Sequence, residues 1–228
     1  MTSKATTREA KFEVPGAGTV DALLNLPAES SALYVLAHGA GAPMRHAFMN
    51  AIAAALADRS IATLRYNFPY SQAGKRGPDR PAVLEATVHA ALTHARVAAP
   101  GLALFAGGKS MGGRMTSQAI AHEAEEDVRG IAFLGFPLHG AGKPPDAKRA
   151  EHLADVRVPM LFVQGTRDSL ARLDLVQNVV DGLGERATLQ VIDDADHGFH
   201  VRKSSGRDDA GVMIEIADSV ASWMATLQ

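Results

Sequence analysis

Short apolar runs alternate with longer stretches of helical periodicity along the chain, and this alternation restricts the folds it can adopt. Within the runs, apolar residues mostly follow one another, which is typical of strands buried on both faces of a parallel sheet. Such strands, separated by helices, form βαβ units. The pattern predicts an α/β fold with three layers, in which a mostly parallel sheet lies between helices. The predicted strands are Ala32–Ala37, Ile61–Tyr66, Leu102–Ala106, Gly130–Phe136, Met160–Gln164 and Thr188–Ile192.

The N-terminal part of the chain predicts a different pairing. The runs Lys11–Val14 and Thr19–Leu26 flank the turn-forming segment Pro15–Gly18, which favours a hairpin of antiparallel strands at one edge of the sheet. A polar loop, Ser71–Arg80, precedes a helix that is predicted to run to about Val97. The other predicted helices are Arg45–Asp58, Met111–Glu123, Ala147–Leu153, Arg172–Asp181 and Ala210–Leu227.

The length of the chain favours a single domain. Its 228 residues suffice for one sizeable core and are few for two, so one domain is expected over 1–228. The loop after Phe136 runs only from Pro137 to Pro145. This short connection predicts that no cap domain is inserted above the sheet.

The composition excludes several classes of function. The formal net charge is −2 and Lys and Arg are dispersed, so neither nucleic acid nor an anionic membrane is expected as a partner. The absence of cysteine excludes disulfides, thiolate metal sites and a cysteine nucleophile. The sequence has no apolar stretch of about 18 residues and no apolar signal-peptide region near its start. A cytoplasmic location is therefore expected.

The strongest local motif is Gly108-Lys109-Ser110-Met111-Gly112, which has the pattern G-x-S-x-G. It follows a predicted strand and opens a predicted helix, which is the context of a nucleophile elbow. In such a turn the serine hydroxyl is raised above the sheet, and its neighbours are small because other backbone passes close by. Ser110 is therefore the predicted nucleophile.

Two other interpretations of this motif are weaker. The pattern can occur by chance in a glycine-rich loop, but the strand before it and the helix after it argue against chance. The letters GGKS also resemble the end of a phosphate-binding loop. That motif requires glycine where this chain has Ala103, inside the predicted strand.

A serine nucleophile needs a base, and the base needs an acid that orients it. In this fold the acid and then the histidine follow the serine along the chain. Asp168 follows the strand ending at Gln164, and His197 follows the last strand, so both are expected at the edge of the sheet where such sites form. The alternatives are Asp174 for the acid and His200 for the base, and Asp168 could instead cap the next helix.

Acyl transfer also needs hydrogen-bond donors for the developing oxyanion. The N–H of Met111, directly after the nucleophile, is one predicted donor. The second is expected from the loop His38–Gly41, with the Ala40 N–H favoured and the Gly41 N–H next. The side chain of His38 is expected to hold this loop rather than to take part in catalysis.

Residues at the ends of other strands are candidates to contact the substrate, although packing is the simpler role for each. Lys109 and Arg114 flank the elbow, where they would either attract an anionic substrate or lie solvated on the surface. Met44, His46 and Leu138 are further neighbours of the predicted site. The predicted substrate-binding residues are Gly41, Phe68, Tyr70, Phe136 and His139.

Four further motifs carry a family resemblance: Phe68–Tyr70 (FPY), Gly135–His139 (GFPLH), Gly142–Pro145 (GKPP) and Gly165–Asp168 (GTRD). With the elbow, they resemble a small α/β-hydrolase group that includes bacterial hydrolases, a testis-expressed hydrolase-like protein and a subunit of the non-specific lethal chromatin complex. The resemblance covers about residues 30–225. It implies an α/β-hydrolase fold, with triad roles for Ser110, Asp168 and His197.

The chain is also similar, more loosely, to dienelactone hydrolases. Those enzymes carry cysteine at the elbow where this chain has Ser110, so their activity is not expected to carry over. The chromatin subunit is a large, multi-part protein, and its role is not expected here either.

The sequence therefore predicts a serine hydrolase that acts on a small carboxylic ester or thioester and requires neither cofactor nor metal. Its expected partner is a small molecule. Two alternatives remain open at this point. One is a non-catalytic binding or scaffold module on the same fold, and the other is an amidase or peptidase with the same triad.

Overall fold

Eight strands form one sheet in the computed structural model, which describes residues 6–228. The first five residues of the predicted domain lie outside this range. In chain order the strands are β1 (Thr6–Val14), β2 (Gly18–Leu26), β3 (Ala32–Ala37), β4 (Ile61–Tyr66), β5 (Ala103–Lys109), β6 (Val128–Leu134), β7 (Met160–Gly165) and β8 (Ala187–Ile192).

The strands lie in the order β1-β2-β4-β3-β5-β6-β7-β8. From β4 to β8 all neighbours are parallel, whereas β1 pairs with β2 and β2 with β4 in antiparallel register. The mostly parallel sheet with an antiparallel N-terminal edge is therefore confirmed.

Helices cover both faces of this sheet, which gives the expected three layers. Helices α1 and α6 pack together on one face, and α3, α4 and α5 lie on the other. A 3₁₀ helix, Lys148–Asp155, packs against α4. The helices are α1 (Ala47–Ala57), α2 (Pro69–Gln72), α3 (Pro81–Ala98), α4 (Met111–His122), α5 (Leu173–Leu183) and α6 (Asp209–Ala225).

Strand β3 shows why the sequence pattern lacks alternation. All six of its residues are buried. Leu33, Val35 and Ala37 face the core beneath α3 and α4, whereas Tyr34 and Leu36 face the core beneath α1 and α6. A strand covered on both faces has no polar side, so its sequence is continuously apolar.

Several predicted elements differ from the observed ones. Strand β1 begins at Thr6 instead of Lys11, and β6 spans Val128–Leu134 instead of Gly130–Phe136. Strand β5 continues to Lys109, where the sequence indicated an end at Ala106, because Gly107 and Gly108 pair with both β3 and β6. The stretch predicted as a helix near 147–153 is a 3₁₀ helix instead. Short α2 was not predicted, although proline at its first position is typical of a helix start.

The connection between β6 and β7 holds only that 3₁₀ helix. Within residues 6–228, no cap domain is inserted at this point, in agreement with the length of the predicted loop. None of the helices described in this range is long and apolar enough to cross a membrane.

Helix α4 begins directly against the end of β3. A Cβ on Gly112 would lie 2.5 Å from the carbonyl oxygen of Ala37 and 2.6 Å from that of His38. A Cβ on Gly108 would lie 2.3 Å from the same oxygen of Ala37. These distances leave no room for a side chain, so glycine at both positions lets β5 turn tightly into α4.

A matched pair of glycine substitutions tests this contact. We expect Gly112→Ala to lower the free energy of unfolding by about 1–3 kcal/mol, because the added methyl group overlaps backbone that cannot move away cheaply. In α5, Gly182 has nothing within 4 Å of the corresponding position. Gly182→Ala should therefore raise stability by about 0.5–1 kcal/mol, the ordinary gain of alanine in a helix. Urea unfolding measures both, and equal effects would contradict the close contact.

Candidate active site

Ser110 stands between β5 and α4 in a strained conformation. Its backbone has φ 52° and ψ −119°, which a residue with a side chain adopts only at a cost of about 1–3 kcal/mol. The N–H of Ser110 donates to the carbonyl of Leu134 on β6, and the Ser110 carbonyl accepts from the N–H of Arg114 in α4. Strand and helix together hold this conformation and raise the hydroxyl above the sheet edge.

The structure brings the three predicted triad residues into one hydrogen-bonded chain. The Oγ of Ser110 lies 2.8 Å from Nε2 of His197, and Nδ1 of His197 lies 2.7 Å from Oδ2 of Asp168. A carboxylate only accepts hydrogen bonds, so Nδ1 carries the proton of the neutral ring. Nε2 is then left as an acceptor for the hydroxyl proton of Ser110.

Asp168 is buried, and its carboxylate accepts every hydrogen bond that it makes. Besides His197, it accepts from Nε2 of Gln164 at 2.6 Å and from the N–H of Leu170 at 2.8 Å. Gln164 in turn accepts from the N–H of Phe136 through its Oε1 at 3.0 Å. These three donors fix the orientation of the carboxylate beside the imidazole of His197.

Gln164 is a contributor that the sequence analysis missed. It lies in β7 and is fully buried, and it links the Phe136 backbone after β6 to Asp168 after β7. A buried amide needs hydrogen-bond partners, so a lone glutamine in an otherwise apolar strand signals a polar network at that strand's end.

The two competing residues point elsewhere. Nδ1 of His200 lies 2.7 Å from Oδ2 of exposed Asp209, and this contact raises the pKa of His200. Asp174 forms an exposed ion pair with Arg172. Neither side chain contacts Ser110, so the structure separates them from the chain of triad residues.

The loop after β3 is fixed by two buried side chains. Nδ1 of His38 lies 2.7 Å from the carbonyl oxygen of Gly39, and Nε2 of His38 accepts from the N–H of Phe68. The hydroxyl of Tyr70 donates to the carbonyl of Ala40 at 2.7 Å. Since peptide units are planar and trans, these contacts orient the N–H of Ala40 and that of Gly41, each opposite the bonded carbonyl.

The predicted oxyanion donors remain without backbone acceptors. Across the described residues, the N–H groups of Ala40, Gly41 and Met111 donate no backbone hydrogen bond outside the regular helices and strands. Met111 is the first residue of α4, where the N–H has no partner within the helix.

A recess of about 330 Å³ opens beside Ser110. Its walls are mostly apolar, and one side of it is formed by the loop His38–Gly41 with the predicted oxyanion donors, here called the oxyanion loop. His46 also reaches the recess. The lining residues are Gly39, Ala40, Gly41, Ala42, His46, Phe48, Met49, Lys109, Ser110, Leu170, His197 and Gly198.

Of the predicted substrate-binding residues, only Gly41 lines this recess. Phe68 and Tyr70 are buried beneath the oxyanion loop, where both rings pack near His38. Phe136 is buried between other aromatic rings, and His139 is buried with Nδ1 3.1 Å from the carbonyl oxygen of Gly140. These four side chains therefore pack around the site instead of lining the recess.

Lys109 is buried, not solvated on the surface. As the last residue of β5 it points its side chain into the recess, because the strand continues beyond its predicted end. Within residues 6–228, no group of three or more His, Asp or Glu side chains is arranged to hold a metal ion.

The burial of His38 predicts a pH dependence of stability. Burial lowers the pKa of His38 to about 4, from an ordinary value of 6.5. As the pH falls below about 6.5, His38 becomes protonated in the unfolded chain but stays neutral in the folded protein. The free energy of unfolding therefore decreases toward pH 4. His152, whose pKa burial also lowers to about 4, adds to this loss.

The contribution of His38 is measured by urea unfolding of the His38→Asn variant between pH 7 and 4.5. We expect its free energy of unfolding to decline less steeply than that of the wild type, by up to about 1.4 kcal/mol per pH unit. His122→Asn, at an exposed position, should keep the wild-type slope. An unchanged slope in His38→Asn would show that this ring titrates normally.

Known families and structures resemble this chain over almost its whole length. A family profile described as an alpha/beta hydrolase domain matches residues 30–225. A dienelactone hydrolase from Anabaena variabilis is similar with a TM-score of 0.77 and 19% identity, covering 98% of this chain and 99% of that chain. An α/β serine hydrolase without lid from Xanthomonas campestris has a TM-score of 0.71 and 20% identity, covering 95% and 94%.

An esterase domain from a Rhodothermus marinus protein has a TM-score of 0.71 and 16% identity, covering 96% of this chain and 97% of that chain. At such identities the structural likeness establishes the shared fold. The family match covers far more than half of the residues and agrees with the sheet order and the strand–turn–helix elbow. The chain belongs to the alpha/beta hydrolase domain family.

Proposed function

We propose that this protein is a serine hydrolase that cleaves small carboxylic esters or thioesters through an acyl-enzyme. The proposal rests on one observation. The hydrogen-bonded chain from Asp168 through His197 to Ser110 ends at a hydroxyl that faces a recess. This arrangement supplies an activated nucleophile and a space for its substrate.

In the first step, Oγ of Ser110 attacks the carbonyl carbon while Nε2 of His197 takes the hydroxyl proton. Asp168 stabilises the imidazolium that forms. The N–H groups of Met111 and Ala40 hold the oxyanion, with Gly41 as the next donor in the loop. His197 then gives its proton to the departing alcohol or thiol, and the acyl-enzyme remains.

In the second step, water attacks the acyl-enzyme and His197 again acts as the base. The tetrahedral intermediate collapses, the acid leaves, and the proton returns from His197 to Oγ of Ser110. The strained backbone at Ser110 supports both steps, because it keeps Oγ exposed at the tip of the turn.

The recess favours a short substrate. Its volume of about 330 Å³ is at the lower end for small-molecule sites, and Phe48, Met49 and Leu170 give it apolar walls. Similar structures include esterases and a serine hydrolase without lid, which supports an uncovered site that takes esters. The closer kinship with the testis-expressed group and a cytoplasmic location remain predictions.

Active-site labelling tests the nucleophile. We expect a fluorophosphonate probe to label the wild type and to fail on Ser110→Ala, because only an activated serine reacts with it. Ser117→Ala is a matched control, since Oγ of Ser117 also lies 2.8 Å from a histidine nitrogen, Nε2 of His152, although Ser117 is buried. Ser117 contacts neither the recess nor a carboxylate, and its variant should keep full labelling. Loss of labelling in Ser117→Ala alone would contradict the assignment.

A series of p-nitrophenyl esters from acetate to palmitate tests the substrate size. We expect kcat/KM to be highest for acyl chains of about two to four carbons, because the recess cannot enclose a long chain. A maximum at palmitate would overturn the short-acyl assignment. A folded wild type that neither labels nor turns over would favour a binding module, and cleavage of amides in preference to esters would favour a peptidase.

A further inference from the structure

The carbonyl of His197 is held from outside its own loop. Nζ of Lys109 donates to this oxygen at 2.5 Å. Within the described chain, the backbone N–H and C=O of His197 make no other hydrogen bond. The neighbouring residues are tied to one another instead, as the carboxylate of Asp196 accepts from the N–H groups of Gly198 and His200. Residues 196–200 form a tight turn, and the backbone of His197 makes no hydrogen bond to the other residues of this turn.

Two aromatic rings fix the ammonium of Lys109. Phe48 and Phe199 stack with their centroids 5.9 Å apart, and Nζ lies 5.8 Å from the first centroid and 5.3 Å from the second. At these distances both rings attract a cation. Phe199 belongs to the turn that carries His197 and has φ 65°, so the same cation contacts this turn at a strained residue as well.

The ammonium of Lys109 lies close to both Asp168 and His197, beside Gly135. A Cβ built on Gly135 would lie 3.1 Å from Nζ of Lys109, 3.6 Å from Oδ2 of Asp168 and 3.6 Å from Cε1 of His197. Gly135 has φ 73° and leaves this space free of side chain. Because residue 135 is glycine, no side chain separates the ammonium of Lys109 from Asp168 and His197 at this point.

We propose that Lys109 is a positioning residue, whose ammonium fixes the His197 backbone and thereby keeps the imidazole in line between Ser110 and Asp168. This inference rests on the proposed function, since it assigns a role within the same site. A displacement of the imidazole on the scale of 1 Å is enough to slow proton transfer severely.

Binding of a substrate carboxylate by Lys109 is the competing role, and the structure favours it less. Only 8% of the residue is exposed, and its ammonium already has an acceptor and two rings around it. An incoming carboxylate would have to displace the His197 carbonyl from Nζ.

The pH dependence of turnover gives a readout that packing alone would not change. Burial lowers the pKa of Lys109 to about 8, against the opposing effect of Asp168 and Asp196. His197 and His46 are the other titratable groups that share its surroundings. Since the protonated form makes the stronger hydrogen bond, kcat should fall as the pH rises through about 8.

The experiment compares the wild type with Lys109→Met, which keeps the length and apolar character of the stem. For p-nitrophenyl acetate we expect kcat to fall about 10- to 100-fold with KM changed less than about twofold. The alkaline decline of kcat near pH 8 should disappear. Lys75→Met, at an exposed lysine, should match the wild type. A melting curve verifies that each variant is folded.

Chemical rescue distinguishes the ammonium from the space it fills. The chain has no cysteine, so Lys109→Cys introduces a single thiol. Alkylation with 2-bromoethylamine rebuilds a lysine-like ammonium, and we expect it to restore kcat at least about tenfold. Alkylation with iodoethane adds a similar stem without charge and should restore nothing. Equal recovery with both reagents would overturn the inference.

Two further outcomes would overturn the inference while leaving the proposed function intact. One is an unchanged kcat in Lys109→Met. The other is an increase of KM confined to an anionic ester such as p-nitrophenyl hydrogen succinate. The order of the ring is also read without turnover, from the imidazole ¹⁵N–¹H signals of His197. We expect a sharp Nδ1–H signal in the wild type and a broadened one in Lys109→Met, and identical signals would refute positioning even in an inactive protein.

Discussion

The carbonyl of Ala37 at the end of β3 lies against the backbone of Gly108 and Gly112, with no room for a side chain between them. This contact sets the path of the chain from β5 into α4. Because the turn is so tight, Ser110 takes a positive φ and its hydroxyl stands clear of the sheet. The same contact brings the loop after β3 beside the first turn of α4, so that Ala40 and Gly41 line one recess together with Ser110.

The fold was largely readable from the sequence because each central strand is covered on both faces. That burial makes β3 and β7 apolar throughout, and such runs can be recognised without any tertiary information. The order serine, acid, histidine is likewise set by the chain. Ser110, Asp168 and His197 each follow a strand of one parallel sheet, so their positions in the sequence imply a common edge.

The supporting residues could not be read in the same way. Glycines at 107 and 108 resemble the end of a strand, yet here they continue β5, and this places Lys109 inside the site instead of on the surface. Phe68 and Tyr70 follow a strand end just as Ala40 does, but whether an aromatic ring lines a recess or packs beneath it depends on the neighbouring loop. Such distinctions arise from packing between distant segments, which no local pattern encodes.

The site joins segments that are far apart along the chain. Ser110 and His197 are separated by 87 positions, and the oxyanion loop belongs to a strand earlier than either. The stretch of chain that contains all of its groups runs from the loop after β3 to His197, which lies beyond the end of β8. Parallel pairing of this kind has high contact order and forms slowly, because the entropy of closing long loops is lost before the contacts between strands stabilise the chain. The hydrogen-bonded chain of Ser110, His197 and Asp168 therefore forms only when the last strands have joined the sheet, and a nascent chain carries the hydroxyl of Ser110 well before it carries His197.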